Sequence, residues 1–170
     1  MLIEMKVSAL AVDPYTNTTI VILKDIGEKN ALPIWIGFME ASAIAVELEK
    51  IKLSRPMTHD LLKEILKMLD VNVKRIEVND LKDNVYYATI HLSFSAEGKE
   101  KLHLIDSRPS DAIALAIRTA CPIFVDEKVI EKSRNIDLRK VKEFQKDGTS
   151  EDWKDILENL SPEEFGKYKM

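Results

Sequence analysis

The stretch that decides the fold is residues 101–117, with the sequence KLHLIDSRPSDAIALAI. Its first part alternates polar and apolar side chains, which predicts a β-strand that ends near Asp106. Pro109 and Asp111 are typical of the first turn of a helix, and the alanine-rich run behind them predicts a helix over residues 109–119. The sequence therefore predicts a strand that leads directly into a helix of small residues.

The same arrangement occurs earlier in the chain. Residues 32–36 (LPIWI) predict a short strand, and Gly37 then opens a helix over residues 38–52 that is apolar around most of its circumference. Further strands are predicted over residues 3–12, 18–23, 71–78, 85–94 and 123–125, and a further helix over residues 58–69. The expected fold class is α+β, with a mostly antiparallel sheet, alanine-rich helices and an internal duplication of a strand-strand-helix unit.

Composition limits the classes of protein to which the chain can belong. The chain has 170 residues, of which 45% are hydrophobic and 32% charged, so we expect one folded domain with a short appendage. It has no apolar run of about 18 residues, which argues against a membrane span. The single cysteine, Cys121, allows no intrachain disulfide and no thiolate zinc cage, so we expect a cytoplasmic protein.

The amino-acid composition of the chain changes at residue 126. Residues 126–170 contain 10 Lys or Arg and 12 Asp or Glu, with sparse apolar positions at helical spacing such as Trp153 and Leu157. We therefore expect a domain over residues 1–125 and a charged helical appendage over residues 126–170. Such an appendage could bind a protein partner.

Charged side chains gather at the predicted helix starts. Ser54-Arg55-Pro56 and Ser107-Arg108-Pro109 each lead into a helix with an acid near its first turn. If the helices begin on one side of the sheet, four acids converge there as ligands for Mg²⁺ or Mn²⁺. These predicted metal ligands are Glu40, Asp60, Asp106 and Asp111.

The same cluster supplies the other parts of a phosphodiester-cleaving site. Arg55 and Arg108 are predicted to bind phosphate, because a guanidinium group can grip it with two hydrogen bonds. His59, Asp60 and Asp111 are the predicted catalytic residues, with His59 as the acid or base near neutral pH. The structural alternative is that these acids cap their helices and pair with the arginines.

These motifs resemble the bifunctional nuclease domain family. The resemblance covers residues 1–130 and includes the 32–37 segment, the Arg55-to-Leu61 run, the 106–118 run and Pro122-Ile123-Phe124-Val125. It implies a metal-dependent nuclease that cleaves both RNA and DNA, and we expect RNA and single-stranded DNA as substrates.

The sequence therefore leaves two alternative functions open. The first is a cytoplasmic nuclease that uses Mg²⁺ or Mn²⁺. The second is a non-catalytic regulatory or scaffold module with structural Arg–Asp pairs, which the net charge of −4 favours because nucleic acid prefers basic surfaces. We also expect a homodimer, since residues 32–36 and 123–125 are predicted edge strands that need to be covered.

Overall fold

The structure is a computed structural model that describes residues 1–12 and 18–134. Within this part of the chain there are seven strands and four helices. They are β1 (Leu2–Val12), β2 (Thr19–Asp25), β3 (Ala31–Ile36), α1 (Phe38–Leu48), α2 (Thr58–Met68), β4 (Asn72–Lys82), β5 (Val85–Ala96), β6 (Lys99–Ser107), α3 (Pro109–Thr119), β7 (Ile123–Asp126) and α4 (Glu127–Ser133).

All seven strands form one sheet, in the order β3-β2-β1-β7-β4-β5-β6. Every neighbouring pair is antiparallel except β4 and β7, which are parallel. The chain therefore has the α+β class and the mostly antiparallel sheet that the sequence predicts.

The two halves of the sheet have the same topology. β1, β2 and β3 form an antiparallel meander that leads into α1, and β4, β5 and β6 form a second meander that leads into α3. Because β1 and β4 both flank β7, the two meanders extend outward from this central strand in opposite directions. The predicted duplication is therefore present, with three strands in each unit rather than two.

The two equivalent helices pack against each other through small side chains. α1 has six consecutive buried residues, from Ala41 to Val46, and α3 buries Ala112 to Ala116. Alanine side chains let two helix backbones approach closely, while Ile44, Ile113 and other large residues fill the space down to the sheet. This contact brings the first turns of α1 and α3 together.

The sheet curls strongly around this core. The hydroxyl of Tyr86 on β5 donates a hydrogen bond of 3.0 Å to the backbone carbonyl of Pro33 on the edge strand β3. Four other strands lie between β3 and β5 in the sheet, so this bond joins strands from the two halves of the curled sheet directly. Burial raises the pKa of Tyr86 to about 12, because the charged phenolate would be poorly solvated there.

One predicted edge strand is wrong. Residues 123–125 lie in β7, which is paired on both sides, with β1 and with β4. Strand alternation shows which face of a strand is buried but not which neighbours it has, and β7 reaches the centre by a parallel pairing that follows α3. The other prediction, an edge strand at residues 32–36, is confirmed as β3.

α4 follows β7 directly and packs on the sheet. Val129 and Ile130 are buried in the main core, and Lys132 binds Asp80 and the carbonyl of Leu81 on β4. The rest of the predicted appendage, residues 135–170, lies outside the described residues. Among the helices that the structure describes, none is long and apolar enough to cross a membrane.

α2 differs from the other helices because its apolar side faces solvent. None of its residues is buried. Its apolar stripe is exposed, whereas His59, Asp60 and Lys63 are partly covered on the side towards α3, and Leu66 packs, partly buried, against the main core. The exposed stripe consists of Leu61, Leu62, Ile65 and Met68, continued by Leu69 just after the helix.

Candidate active site

The first turns of three helices meet at one place on the surface. Glu40 is the third residue of α1, His59 the second of α2 and Asp111 the third of α3. Arg108 is the residue that caps α3. These four residues, Glu40, His59, Arg108 and Asp111, are linked by direct contacts, and we call them the helix-start cluster.

Arg108 is the centre of the helix-start cluster. Its Nε and Nη2 atoms donate to the two carboxylate oxygens of Asp111, at 2.6 and 3.1 Å, and its Nη1 donates to Oε1 of Glu40 at 2.9 Å. The side chain of Arg108 remains 65% exposed. One guanidinium group therefore joins the two halves of the molecule and still faces solvent.

His59 approaches Asp111 from the other helix. Its Nε2 lies 3.2 Å from Oδ1 of Asp111, and its side chain is only 14% exposed. The other ring nitrogen, Nδ1, has no hydrogen-bond partner among the described residues. The ring is thus held by one nitrogen, and the other is available to a ligand or to water.

The charges of the cluster fix the protonation of its members. Burial by itself would raise the pKa of Asp111, but hydrogen bonds from Arg108 and His59 outweigh it and hold that pKa below the usual value. The hydrogen bond that Arg108 donates to Asp111, together with the negative charge of Asp111, raises the pKa of Arg108. Near neutral pH Asp111 is therefore a carboxylate, so the Nε2 atom of His59 must carry the hydrogen that it shares with Asp111.

Gly37 makes room for Glu40. It caps α1 with extended backbone, and a Cβ atom at this position would collide with the carboxylate of Glu40. Any larger residue would push that carboxylate away from its present place beside Arg108. Gly37 therefore belongs to the site although it carries no chemistry.

Asp60 points away from the cluster. Its Oδ1 accepts a bond of 2.6 Å from Nε of Arg118 in the last turn of α3, and its Oδ2 accepts the backbone N–H of Met57 at 2.9 Å. Burial acts to raise the pKa of Asp60, but these bonds lower it overall. Arg118 could not be predicted as a partner of Asp60, because nothing in the spacing of the two residues links them.

Two predicted site residues lie outside the cluster. Arg55 is exposed in the segment between α1 and α2 and has no hydrogen bond or ion pair to another described residue. Asp106 is exposed on β6, in register with Thr89. Its neighbours Ile105 and Ser107 pair with the helix-side residues of β5, so strand alternation directs Asp106 to the opposite face of the sheet.

The four predicted metal ligands are therefore not gathered in one place. Within residues 1–12 and 18–134, no three His, Cys, Asp or Glu side chains form a group that could hold a metal ion. Glu40 and Asp111 flank the Arg108 guanidinium, while Asp60 and Asp106 lie elsewhere. The part of the chain that the structure describes thus contains no preformed cage, and the metal requirement stays a prediction.

Fold and cluster together define an α+β domain with a duplicated meander and an Arg–carboxylate–His group at its helix starts. Residues 21–137 match the profile of the bifunctional nuclease domain. The chain belongs to the bifunctional nuclease domain family.

Individual relatives agree with this assignment. An uncharacterised protein of Mycobacterium tuberculosis is 31% identical over 166 residues, which cover 95% of this chain and 97% of that protein. Bifunctional nuclease 1 of Oryza sativa subsp. japonica is 26% identical over 117 residues, or 69% of this chain and 35% of that protein. Bifunctional nuclease 1 of Arabidopsis thaliana is 28% identical over 108 residues, or 64% of this chain and 33% of that protein. The matches to the plant nucleases thus span about a third of their length.

Proposed function

We propose that this chain is a nuclease that hydrolyses phosphodiester bonds of RNA and single-stranded DNA at the helix-start cluster. The observation that carries the proposal is the exposed Arg108 beside the His59–Asp111 pair. A phosphate-binding cation and an oriented imidazole are the two groups that this reaction needs most. The similarity to the plant bifunctional nucleases supports the same activity.

Arg108 is the phosphate-binding residue in this proposal. Its guanidinium group has the fork geometry that matches two phosphate oxygens, and it lies at the start of α3, where backbone N–H groups also favour an anion. Substrate phosphate would take over part of the hydrogen bonding that Glu40 and Asp111 now provide. Arg55, exposed before α2, is proposed as a further contact to the substrate.

His59 is the general base. Because its Nε2 donates to Asp111, its Nδ1 carries the lone pair that can accept a proton from water. The water oxygen then forms a bond to phosphorus while the bond to the leaving sugar oxygen breaks, and that oxygen takes a proton from solvent. A water nucleophile suits both substrates, since DNA lacks the 2′-hydroxyl that many ribonucleases use.

Charge balance supports the metal requirement. Glu40, Arg108 and Asp111 sum to a charge of −1 when His59 is neutral, and the whole chain carries −4. Such a site needs a cation to accept a phosphate. Mg²⁺ is commonly held by one or two carboxylates together with substrate phosphate, so we propose that Glu40 and Asp111 hold Mg²⁺ or Mn²⁺ that enters with the substrate.

A direct assay tests the proposed activity. The purified chain is incubated with end-labelled single-stranded RNA and DNA, in Mg²⁺, in Mn²⁺ and in excess chelator. We expect cleavage of both polymers with metal and none with chelator. Arg108→Ala, prepared in the same way, controls for contaminating nucleases. A folded protein that cleaves neither polymer with either metal would contradict the proposal.

The same contacts support a second candidate. Arg108, Asp111 and Glu40 satisfy one another, as they would in a structural lock of a regulatory or scaffold module. In that case Arg108→Ala would lower the melting temperature, and the wild-type protein would be inactive in the assay above. Residues 135–170 of the predicted partner-binding appendage lie outside the described residues.

We also propose that two copies of the chain pair through α2. The five exposed apolar residues of its stripe are spaced symmetrically about Ile65, at −4, −3, +3 and +4. Two α2 helices packed antiparallel would therefore set Leu61 and Leu62 of one copy against Leu69 and Met68 of the other. Large exposed apolar patches of this kind usually mark an interface.

The mass in solution tests the dimer. We expect the wild type to have twice the chain mass and Ile65→Lys to be monomeric. Ile26→Lys is the matched control, because Ile26 is exposed in the turn after β2 and lies outside the stripe. A wild-type monomer at micromolar concentration would contradict the proposal.

We also propose that the protein works in the reducing cytoplasm, because Cys121 is its single cysteine and allows no intrachain disulfide.

A further inference from the structure

α2 carries His59 but has little apolar contact with the rest of its own chain. A surface helix is normally held by burying its apolar stripe, and in α2 that stripe is exposed and no residue is fully buried. Leu66 alone packs, partly buried, against the main core, while His59 and Asp60 make polar contacts with α3. These polar contacts therefore have a large part in setting the position of His59.

The strongest of these contacts is the Asp60–Arg118 ion pair. The side chain of Arg118 is only 1% exposed, and its Nε lies 2.6 Å from Oδ1 of Asp60. Its Nη1 donates to the carbonyl of Ala114 at 3.0 Å, whereas Nη2 is buried without a partner among the described residues. A buried charge of this kind is tolerated only with its counterion, so Arg118 holds Asp60 firmly.

Asp60 transmits this restraint to the start of α2. Its second oxygen accepts the backbone N–H of Met57, the residue that caps the helix. Asp60 is thus bound to α3 on one side and to its own helix start on the other. Both carboxylate oxygens of Asp60 are therefore used in contacts that join the start of α2 to α3.

His59 and Asp60 then bind α3 at two separate points. His59 contacts Asp111 in its first turn, and Asp60 contacts Arg118 in its last. Seven residues, or about 10 Å along the helix axis, separate the two contacts on α3. Two neighbouring residues of α2 that bind so far apart fix both the position and the rotation of the α2 start.

We propose that Asp60 and Arg118 are positioning residues that hold the ring of His59 against Asp111. The catalytic consequence rests on the proposed nuclease function, but the positioning itself does not. Nuclear magnetic resonance of the full chain measures it without any substrate, through the nuclear Overhauser contacts between the His59 ring and the Asp111 side chain. Because Nε2 of His59 lies 3.2 Å from Oδ1 of Asp111, we expect these contacts in the wild-type protein.

Asp60→Asn is the first test variant. If the pair positions His59, the ring moves away from Asp111 in this variant and the contacts between the two side chains weaken. If Asp60 supplies only charge or stability, the folded variant keeps these contacts. Their loss therefore separates positioning from plain electrostatics.

Two further variants complete the experiment. Arg118→Lys keeps the buried charge but loses the planar guanidinium group, so we expect a smaller loss of the contacts between His59 and Asp111. This variant also decides the matter if Asp60→Asn does not fold. Glu77→Gln, which removes the acidic partner of Arg75 on β4, is the matched control and should leave these contacts unchanged. A folded Asp60→Asn or Arg118→Lys protein that keeps the wild-type contacts between His59 and Asp111 would overturn the proposal.

An activity measurement adds a second readout. We expect Asp60→Asn to lower kcat about tenfold with little change in KM, and to have no further effect when His59 is already Gln. Equal effects of Asp60→Asn in the presence and absence of His59 would contradict the proposal. If the wild type cleaves nothing, the proposed function fails, and the resonance experiment still decides the positioning.

Discussion

The two halves of the molecule use the same position in opposite ways. In the first half the residue that caps the helix after the meander is Gly37, and in the second half it is Arg108. Three residues further on lie the equivalent acids Glu40 and Asp111. Gly37 leaves room for the acid of its own helix, whereas Arg108 binds both acids. Duplication thus supplies the paired carboxylates, and the difference at the cap supplies the cation between them.

The two Ser-Arg-Pro motifs, by contrast, are alike in sequence but not in structural position. Arg108 and Pro109 cap and begin α3, but Arg55 and Pro56 precede α2, whose cap is Met57. Arg55 binds no described residue, while Arg108 has three hydrogen bonds to carboxylates. The true counterparts are residues 40–46 (EASAIAV) and 111–117 (DAIALAI), which align an acid and three alanines.

The largest expected effect comes from removing the cation that joins the halves. Arg108→Ala should lower kcat/KM for RNA and single-stranded DNA by about 10² or more, because the phosphate loses its charged partner. Arg75→Ala is the matched control, since Arg75 is also an exposed arginine paired with one carboxylate, Glu77. Arg55→Ala should have a smaller effect than Arg108→Ala. An equal loss in Arg55→Ala would restore the symmetry of the two Ser-Arg-Pro motifs and contradict our account.

A smaller effect is expected from the cap of the first half. Gly37→Ala forces the Glu40 carboxylate away from Arg108, and exposed pairs of this kind are worth up to about 1 kcal/mol. Cleavage should therefore fall about two- to fivefold. Gly27→Ala is the control, because a Cβ there makes only ordinary contacts with the side chain of Lys29. A normal rate in Gly37→Ala would remove Glu40 from the site.

The smallest effect concerns the closure between the halves. Tyr86→Phe removes the hydrogen bond to Pro33 and should lower the free energy of unfolding by about 0.5–1.5 kcal/mol in urea titrations. Burial raises the pKa of Tyr86 from its ordinary value of 10.0 to about 12, so its contribution to the free energy of unfolding is complete below pH 10 and is lost as the pH rises through 12. The difference between wild type and variant should shrink over that range; a constant difference would mean that the phenol is not buried in solution.

Most of the fold could be predicted from local pattern. Alternation and turn residues located the strands, and the alanine-rich runs located α1 and α3. The position of β7 could not be predicted, because its neighbours depend on a parallel pairing between segments far apart in the chain. Long-range pairing of this kind leaves no periodic signal in a single sequence.

The site was predictable where a motif sits at the start of a helix. Glu40, His59, Arg108 and Asp111 were found because acids and caps mark first turns, and three first turns converge. Asp106 lies on the opposite face of the sheet, and this could not be predicted because it depends on the register between β5 and β6, which a single sequence does not show. Arg118 could not be predicted, because in a sequence a buried arginine cannot be distinguished from the exposed basic residues that are common in the last turn of a helix.

The most direct test of the helix-start cluster as a catalytic site is Asp111→Asn, with melting temperature and cleavage rate measured on one sample. Asn has nearly the same shape and still accepts a hydrogen bond, so we expect a folded protein. Its cleavage rate should fall by about 10² or more, because His59 and Arg108 lose the charge that orients them. A protein that melts at a lower temperature but cleaves at the wild-type rate per folded molecule would remove Asp111 from catalysis and contradict the account.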